Sequence, residues 1–273
     1  MTELAIIIVS HNTKAELENC LRSLHQHPPR VSHEVVVVDN ASKDGSVEAV
    51  RSDWPGVRVI PLDRNTGFAA GNNAGIRQSA SDLVLLLNSD TIVPEGAIDR
   101  LVSALRELPR AAVVGPRIVD GHGQPELSFG SMIGPFAELR RKMLVRFVSA
   151  DRLTAMTSQV REVDWVSAAC LLVRRRDAEA AGLLDERYFM YCEDVDFCAA
   201  IRANGGTVYF TPAAQITHLR GRSWRASPKA TAERYRQSQL AFYRKHHPGW
   251  VPILRLYLAA RGKLPAQATD KKG

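Results

Sequence analysis

Residues 83–93 read LVLLLNSDTIV, an unbroken apolar run that stops at Asn88-Ser89-Asp90. Continuous apolarity without alternation marks a strand buried on both faces, as in a parallel sheet covered by helices. Two earlier runs share this character, LAIIIVS at 4–10 and EVVVVDN at 34–40, and they lead into Ser10-His11-Asn12 and Asp39-Asn40. One polar strand end is an ordinary turn, because short polar side chains bond back to their own backbone. Three of them on one edge fall where α/β sheets keep their ligands, at the carboxyl ends of the strands.

The intervening segments read as helices. In TKAELENCLRSLHQH (13–27), Thr13 and Glu16 fit a capping box, and Leu17, Cys20, Leu21 and Leu24 make one apolar stripe. Further elements are expected at 46–52 (helix), 57–61 (strand) and 69–79 (helix). Pro94 stands at the first turn of a helix that buries Ile98, Leu101, Val102 and Leu105. Repeated βα units with right-handed crossovers put helices on both faces of one sheet, so the expected class is α/β with a doubly wound, mostly parallel central sheet.

From 121 to 162 periodicity is lost, which suits a functional loop or lid, and the stretch ELRRKMLVRF (138–147) within it is basic. VDWVSAACLLVRR (163–175) regains strand character, a short helix ends near Gly182, EDVDFCAAIRANGG (193–206) is a helix closed by glycine, and TVYFTP (207–212) is a strand. Ser227-Pro228 starts a helix to about His246. The expected organisation is 1–120 for one half of a single domain, 121–246 for the other, and 247–273 for a basic C-terminal helical extension.

The formal charge of +7 and the pI near 9.4 favour anionic partners without choosing among them. With 7% aromatic residues and no basic-aromatic repeat, nucleic acid is not an expected partner. Cys20, Cys170, Cys192 and Cys198 fit neither a zinc ribbon nor a redox pair, so reduced thiols and a cytoplasmic location are expected. No stretch approaches the roughly 20 apolar residues of a membrane span.

Several constellations carry candidate chemistry. NTGFAAGNNAGI (65–76) leads glycines into a helix, either to bring backbone N–H groups to a ligand or to pack the helix closely. Asp39 is either a nucleoside contact or a turn former. Asp90 is a candidate ligand for magnesium or manganese bound together with a diphosphate, and His218 in ITHLRG is either its partner or structural. Glu193, Asp194 and Asp196 suit a helix N-terminus through the macrodipole, or supply a general base. Arg220, Arg222, Trp224 and Arg225 form a basic-aromatic cluster suited to a diphosphate, a lipid headgroup or a solvated face.

In order, VSHN, VVVDNASKDGS, NTGFAAGNNAGI, LLLNSDT, VSAACLLVRR, FMYCEDVDF and THLRG resemble the family 2 glycosyltransferases of the GT-A fold, with the bacterial rhamnosyltransferase-like branch the nearest likeness. The resemblance runs over roughly 4–245. It implies an inverting transfer from a nucleotide-diphosphate sugar, rhamnose first, to a glycan or lipid-linked glycan acceptor in cell-envelope polysaccharide synthesis. LNSDT stands where the family carries its Asp-x-Asp metal motif, with Asn88 replacing the first Asp. The resemblance assigns the divalent cation, manganese or magnesium, to Asp90 and His218. It sets the nucleoside against Ser10, Asn12 and Asp39, brings Asn65, Gly67 and Asn88 to the donor, makes Asp194 the catalytic base, and puts Glu193 and Trp165 on the acceptor side.

The C-terminal GWVPILRLYLAARGKL, with Arg255, Arg261 and Lys263, and the basic loop around Arg140 to Arg146 suit either peripheral contact with an anionic membrane at its inner face or ordinary packing with a solvated basic edge. A metal-dependent nucleotidyltransferase and a non-catalytic nucleotide or nucleic-acid binder are the alternative readings. The donor nucleotide is open among dTDP, UDP and GDP.

Overall fold

The computed structural model describes residues 2–134, 150–219 and 228–265. Its first half holds β1 (Leu4–Ser10), β2 (His33–Asp39), β3 (Val57–Pro61) and β4 (Leu83–Asn88), joined by α1 (Lys14–Gln26), α2 (Ser46–Asp53) and α3 (Phe68–Arg77). A short β5 (Thr91–Ile92), α4 (Ala97–Glu107) and β6 (Ala111–Val119) follow, then β7 (Pro125–Glu126) and β8 (Phe129–Gly130). Beyond them come α5 (Ala150–Met156), β9 (Arg161–Glu162), β10 (Trp165–Val166), β11 (Cys170–Arg174), α6 (Arg175–Ala180), α7 (Glu193–Ala203) and β12 (Thr207–His218). Helices α8 (Pro228–His246) and α9 (Val251–Ala260) are last, separated by a 3₁₀ turn at Pro248–Trp250.

The main sheet has the order β3-β2-β1-β4-β11-β6-β12-β5. β1 to β4 are mutually parallel, β11 runs antiparallel to both β4 and β6, β12 is parallel to β6, and β5 is antiparallel to β12. Six of these eight strands therefore run one way, as expected for a mostly parallel sheet. β1 divides the core: Ala5 and Ile7 join one buried cluster with Ala69 and Ile76 of α3 and Val195 and Phe197 of α7, while Leu4, Ile6 and Ile8 join another with the stripes of α1 and α4. Helices thus cover both faces.

Three local expectations are corrected. Thr13 is the N-cap of α1, yet its side chain makes no capping bond, because its hydroxyl lies between those of Ser10 at 2.9 Å and Ser89 at 3.1 Å. Pro94 stands in a turn that accepts the Ala97 N–H, and α4 begins only after Gly96, whose φ of 67° breaks helical geometry. The strand expected over 163–175 is divided into β10 and β11 by a turn at 167–169. The basic loop at 140–146 and the cluster of Arg220, Arg222, Trp224 and Arg225 lie outside the described residues. All four cysteines are buried free thiols, and burial pushes Cys20 and Cys198 up to about 12.

The glycines of α3 allow close packing. Gly71 and Gly75 seat the helix on β1: a Cβ on Gly75 would lie 2.5 Å from Ile7 Cγ2 and one on Gly71 2.9 Å from Val9 Cγ1. Gly75→Ala is therefore expected to destabilise the fold by about 1–3 kcal/mol through overpacking. Gly56→Ala, where a Cβ would meet nothing within 4 Å, is expected to leave urea denaturation unchanged.

Candidate active site

Pairing registers bring the strand ends together. Ser10 is opposite Asp39 and Val9 is opposite Asn88, so Asp39 and Asn88 end strands two spacings apart, roughly 10 Å. Asp39 is 2% exposed; its Oδ2 accepts the Ser42 N–H at 2.9 Å, and its buried Oδ1 has no hydrogen-bond partner among the described residues. The residue is both turn former and a carboxylate with one oxygen left over. A buried acceptor without a partner costs about 1–3 kcal/mol, which an N–H of a bound ligand would recover.

Asn12 sits at φ 54° and ties the first two strand ends together, donating its N–H to Ser42 Oγ and accepting the Lys43 N–H. Ser10 is 1% exposed with its hydroxyl in the Ser10–Thr13–Ser89 chain, so it forms the floor of this edge. Asn65 accepts the Gly67 N–H at 3.0 Å. Asn40, named in the sequence only as part of a polar strand end and given no role of its own, holds the same loop by donating to the Gly67 carbonyl and accepting the Thr66 N–H. Gly67 has φ 88°, and a Cβ there would lie 2.3 Å from the Phe189 carbonyl oxygen, which accepts the Phe68 N–H. The loop at 65–67 therefore interlocks with the segment preceding α7.

Asp90 and His218 are separated by 128 positions and meet through backbone pairing. β5 leaves the β4 edge and pairs with the end of β12, placing His218 opposite Thr91, and the Leu219 N–H donates to the Asp90 carbonyl at 2.9 Å. His218 Nε2 then lies 3.1 Å from Asp90 Oδ1 and 3.3 Å from Asn88 Nδ2. Two ligands each about 2.1 Å from an octahedral ion and at right angles are about 3.0 Å apart, so the pair fits adjacent positions on one small divalent cation. Among the described residues no three His, Cys, Asp or Glu side chains cluster around one ion. A cation here would take its remaining ligands from phosphates and water.

The sequence reading missed Glu126. This carboxylate, on the two-residue β7 in the aperiodic segment, lies 3.9 Å from His218 Nδ1, on the ring nitrogen turned away from Asp90. A carboxylate beside one imidazole nitrogen favours the proton there and leaves the other nitrogen to a metal.

The acidic helix start separates into three roles. Tyr191 and Cys192 both take left-handed φ, 73° and 66°, a turn that sets Glu193 and Asp194 at the first positions of α7. Glu193 is buried, and burial first and the Asp194 charge second push its carboxyl well above the usual range. Asp196 is 2% exposed and saturated: Lys245 Nζ donates to Oδ2 at 2.7 Å, His246 Nε2 lies 2.6 Å from Oδ1, and the Tyr188 hydroxyl donates at 3.3 Å. Asp194 is the half-exposed member. Its Oδ2 accepts the Ala168 N–H at 3.3 Å, and the adjacent Ala169 carbonyl accepts the Asn88 N–H, so Asp194 is two hydrogen bonds from the end of β4. Trp165 is 7% exposed and donates its indole N–H to the Ser131 carbonyl, which places most of its ring in the core.

The doubly wound, mostly parallel sheet with helices on both faces is that of the GT-A fold. The chain shares that fold with GalNAc-T7, solved with UDP, GalNAc and Mn²⁺ (TM-score 0.63, 17% identity, 88% of this chain and 48% of the other). It shares it also with the mannosyltransferase PcManGT of Pyrobaculum calidifontis, solved with GDP-Man and Mn²⁺ (TM-score 0.61, 19% identity, 96% and 72%). Residues 5–166 match Glycosyl transferase family 2, and the chain belongs to that family. It is rhamnosyltransferase-like: it is 31% identical to the N-acetylglucosaminyl-diphospho-decaprenol L-rhamnosyltransferase of Mycobacterium tuberculosis, over 98% of this chain and 94% of that protein.

The roles of the two aspartates in α7 separate by stability. Asp196→Ala removes the buried partner of Lys245 and His246 and is expected to cost about 3 kcal/mol in urea denaturation. Asp194→Asn is expected to change it by less than about 1 kcal/mol.

Proposed function

We propose that this chain is an inverting glycosyltransferase that moves a sugar, rhamnose first, from a nucleoside-diphosphate donor to a lipid-linked glycan at the cytoplasmic face of a membrane. The observation that carries the reading is the Asp90–His218 pair, whose 3.1 Å separation suits one divalent ion at the edge where the sheet presents Asp39 and Asn88. Relatives add direction: two proteins of this fold were solved with nucleotides and Mn²⁺, and the mycobacterial relative is named for an acceptor with a diphospho-decaprenol.

In this reading the Asp39 Oδ1 accepts a base or ribose hydrogen, and the loop of Asn65 and Gly67 closes over the donor with Asn88 beside its sugar or ribose. Asp90 and His218 would hold manganese or magnesium, which would supply positive charge to offset that of a nucleoside diphosphate. Glu126 keeps the His218 ring oriented. Asp194 takes the proton from the acceptor hydroxyl as its oxygen bonds to the anomeric carbon and the bond to the diphosphate breaks. One displacement inverts the anomeric configuration. Glu193, buried beside Asp194, and Trp165 shape the acceptor side. A nucleotidyltransferase would instead consume a nucleoside triphosphate and release pyrophosphate.

Titration calorimetry with dTDP-rhamnose, UDP-glucose and GDP-mannose, with and without manganese, tests the donor half. One donor is expected to bind in a manganese-dependent way, and Asp90→Ala to abolish that binding; metal-independent binding of equal strength in the variant would refute the cation assignment.

Asp194→Asn tests the chemistry. Turnover is expected to fall about 10²- to 10⁴-fold with donor affinity unchanged. Full turnover would remove Asp194 from the mechanism.

A further inference from the structure

The described residues contain seven exposed large hydrophobic side chains, and five of them lie between 250 and 264: Trp250, Ile253, Leu256, Tyr257 and Leu264. The reason is the construction of α9. Leu254 and Leu258, four apart, are buried against the core, at 8% and 0% exposure. Ile253, Leu256, Tyr257 and Ala260 recur at i, i+3, i+4 and i+7, which places them on a second face that points outward. Ile253 is 57% exposed and Leu256 72%. A helix that only packed would carry polar residues there.

Charge selects what covers this face. From Arg234 to Thr269 the sequence has seven Lys and Arg and no Asp or Glu. Lys245 is matched by Asp185 and Asp196, whereas Arg255, Arg261 and Lys263 flank the apolar face, with the Arg261 guanidinium 5.4 Å from the Tyr257 ring centre. A second copy of this chain would bring a second set of the same cations against the first. An anionic bilayer meets both requirements, taking apolar side chains into the headgroup boundary and pairing the cations with lipid phosphates. Among the described residues no helix is long and apolar enough to cross a membrane, so α9 would lie in the interface plane.

We infer that the outward face of α9, built from Ile253, Leu256 and Tyr257 with Trp250, Arg261 and Lys263 at its ends, is a docking surface for an anionic lipid bilayer. The inference deepens the lipid-linked acceptor reading and rests on it for its purpose.

The test is flotation of the full chain, with neither donor nor acceptor present, so that failure of the transferase reading leaves the result intact. Vesicles of phosphatidylcholine alone are compared with equal parts phosphatidylcholine and phosphatidylglycerol. The chain is expected to float with the anionic vesicles, and the triple variant Ile253→Ser, Leu256→Ser, Tyr257→Ser to partition at least about tenfold less while keeping its circular dichroism and cooperative melting. Arg261→Gln with Lys263→Gln is expected to weaken flotation and flatten its salt dependence. Absence of flotation, or flotation indifferent to the triple variant, overturns the inference. So does a wild-type dimer in sedimentation that the triple variant abolishes, since it assigns the face to a second copy.

Discussion

The site depends on one backbone junction. β4 delivers Asn88 to the sheet edge, but the chain then crosses to β12, and the Leu219 N–H bond to the Asp90 carbonyl, with the pairing of His218 and Thr91, joins the two halves of the molecule. The distance of 3.1 Å between Asp90 Oδ1 and His218 Nε2 follows from that junction. Side chains that are to share one ion, as proposed for this pair, need positions fixed to a fraction of an ångström, which paired strands provide and free loops do not. Glu126 reaches the same histidine from β7, itself held in register by Ile118 of β6. Two short strand pairings, β5 with β12 and β7 with β6, therefore converge on one imidazole.

Much of the fold was legible because burial writes itself into period. The unbroken runs of β1, β2 and β4 and the stripes of α1 and α4 mark elements covered on known sides, and Gly75 marks where α3 meets Ile7. What stayed hidden has physical reasons. β11 is buried like β4 and β6 on either side of it, so CLLVR carries no mark of its antiparallel direction. Thr13 and Glu16 had the spacing of a capping box, but a buried partner, Ser89, competes for the hydroxyl from 76 residues away. Glu126 belongs to a strand of two residues, too short to have a period, and Asn40 differs from any turn asparagine only through loops that the fold brings to it.

The three carboxylates at the start of α7 show how environment divides identical chemistry. All occupy the first turn, where the helix dipole favours negative charge. Burial without a full set of partners forces Glu193 toward its neutral form, whereas Asp196, equally buried, is held by Lys245, His246 and Tyr188. Only Asp194 combines partial exposure with a tether, through Ala168 and Ala169, to the end of β4. A resemblance can name such a residue, but the geometry supplies the reason its neighbours are unsuited to accept a proton from an external hydroxyl.

That same Asp196 network ties the two ends of the functional apparatus. Lys245 and His246 are the last residues of α8, and the 3₁₀ turn at Pro248–Trp250 leads directly into α9. His247, between them, donates its Nε2–H to the Ile133 carbonyl, 2.8 Å away, and so fixes the joint to the segment that follows β8. The helix with the outward apolar face is thereby joined, through the 3₁₀ turn, the Lys245–Asp196 ion pair and the His246–Asp196 hydrogen bond, to the helix that carries Asp194. A buried salt bridge contributes little net stability but strongly resists losing one partner. Its value here is geometric: α7, α8 and α9 hold one relative position, so under the proposed reading a lipid surface that fixed α9 would also fix the direction from which a membrane-borne hydroxyl approached Asp194.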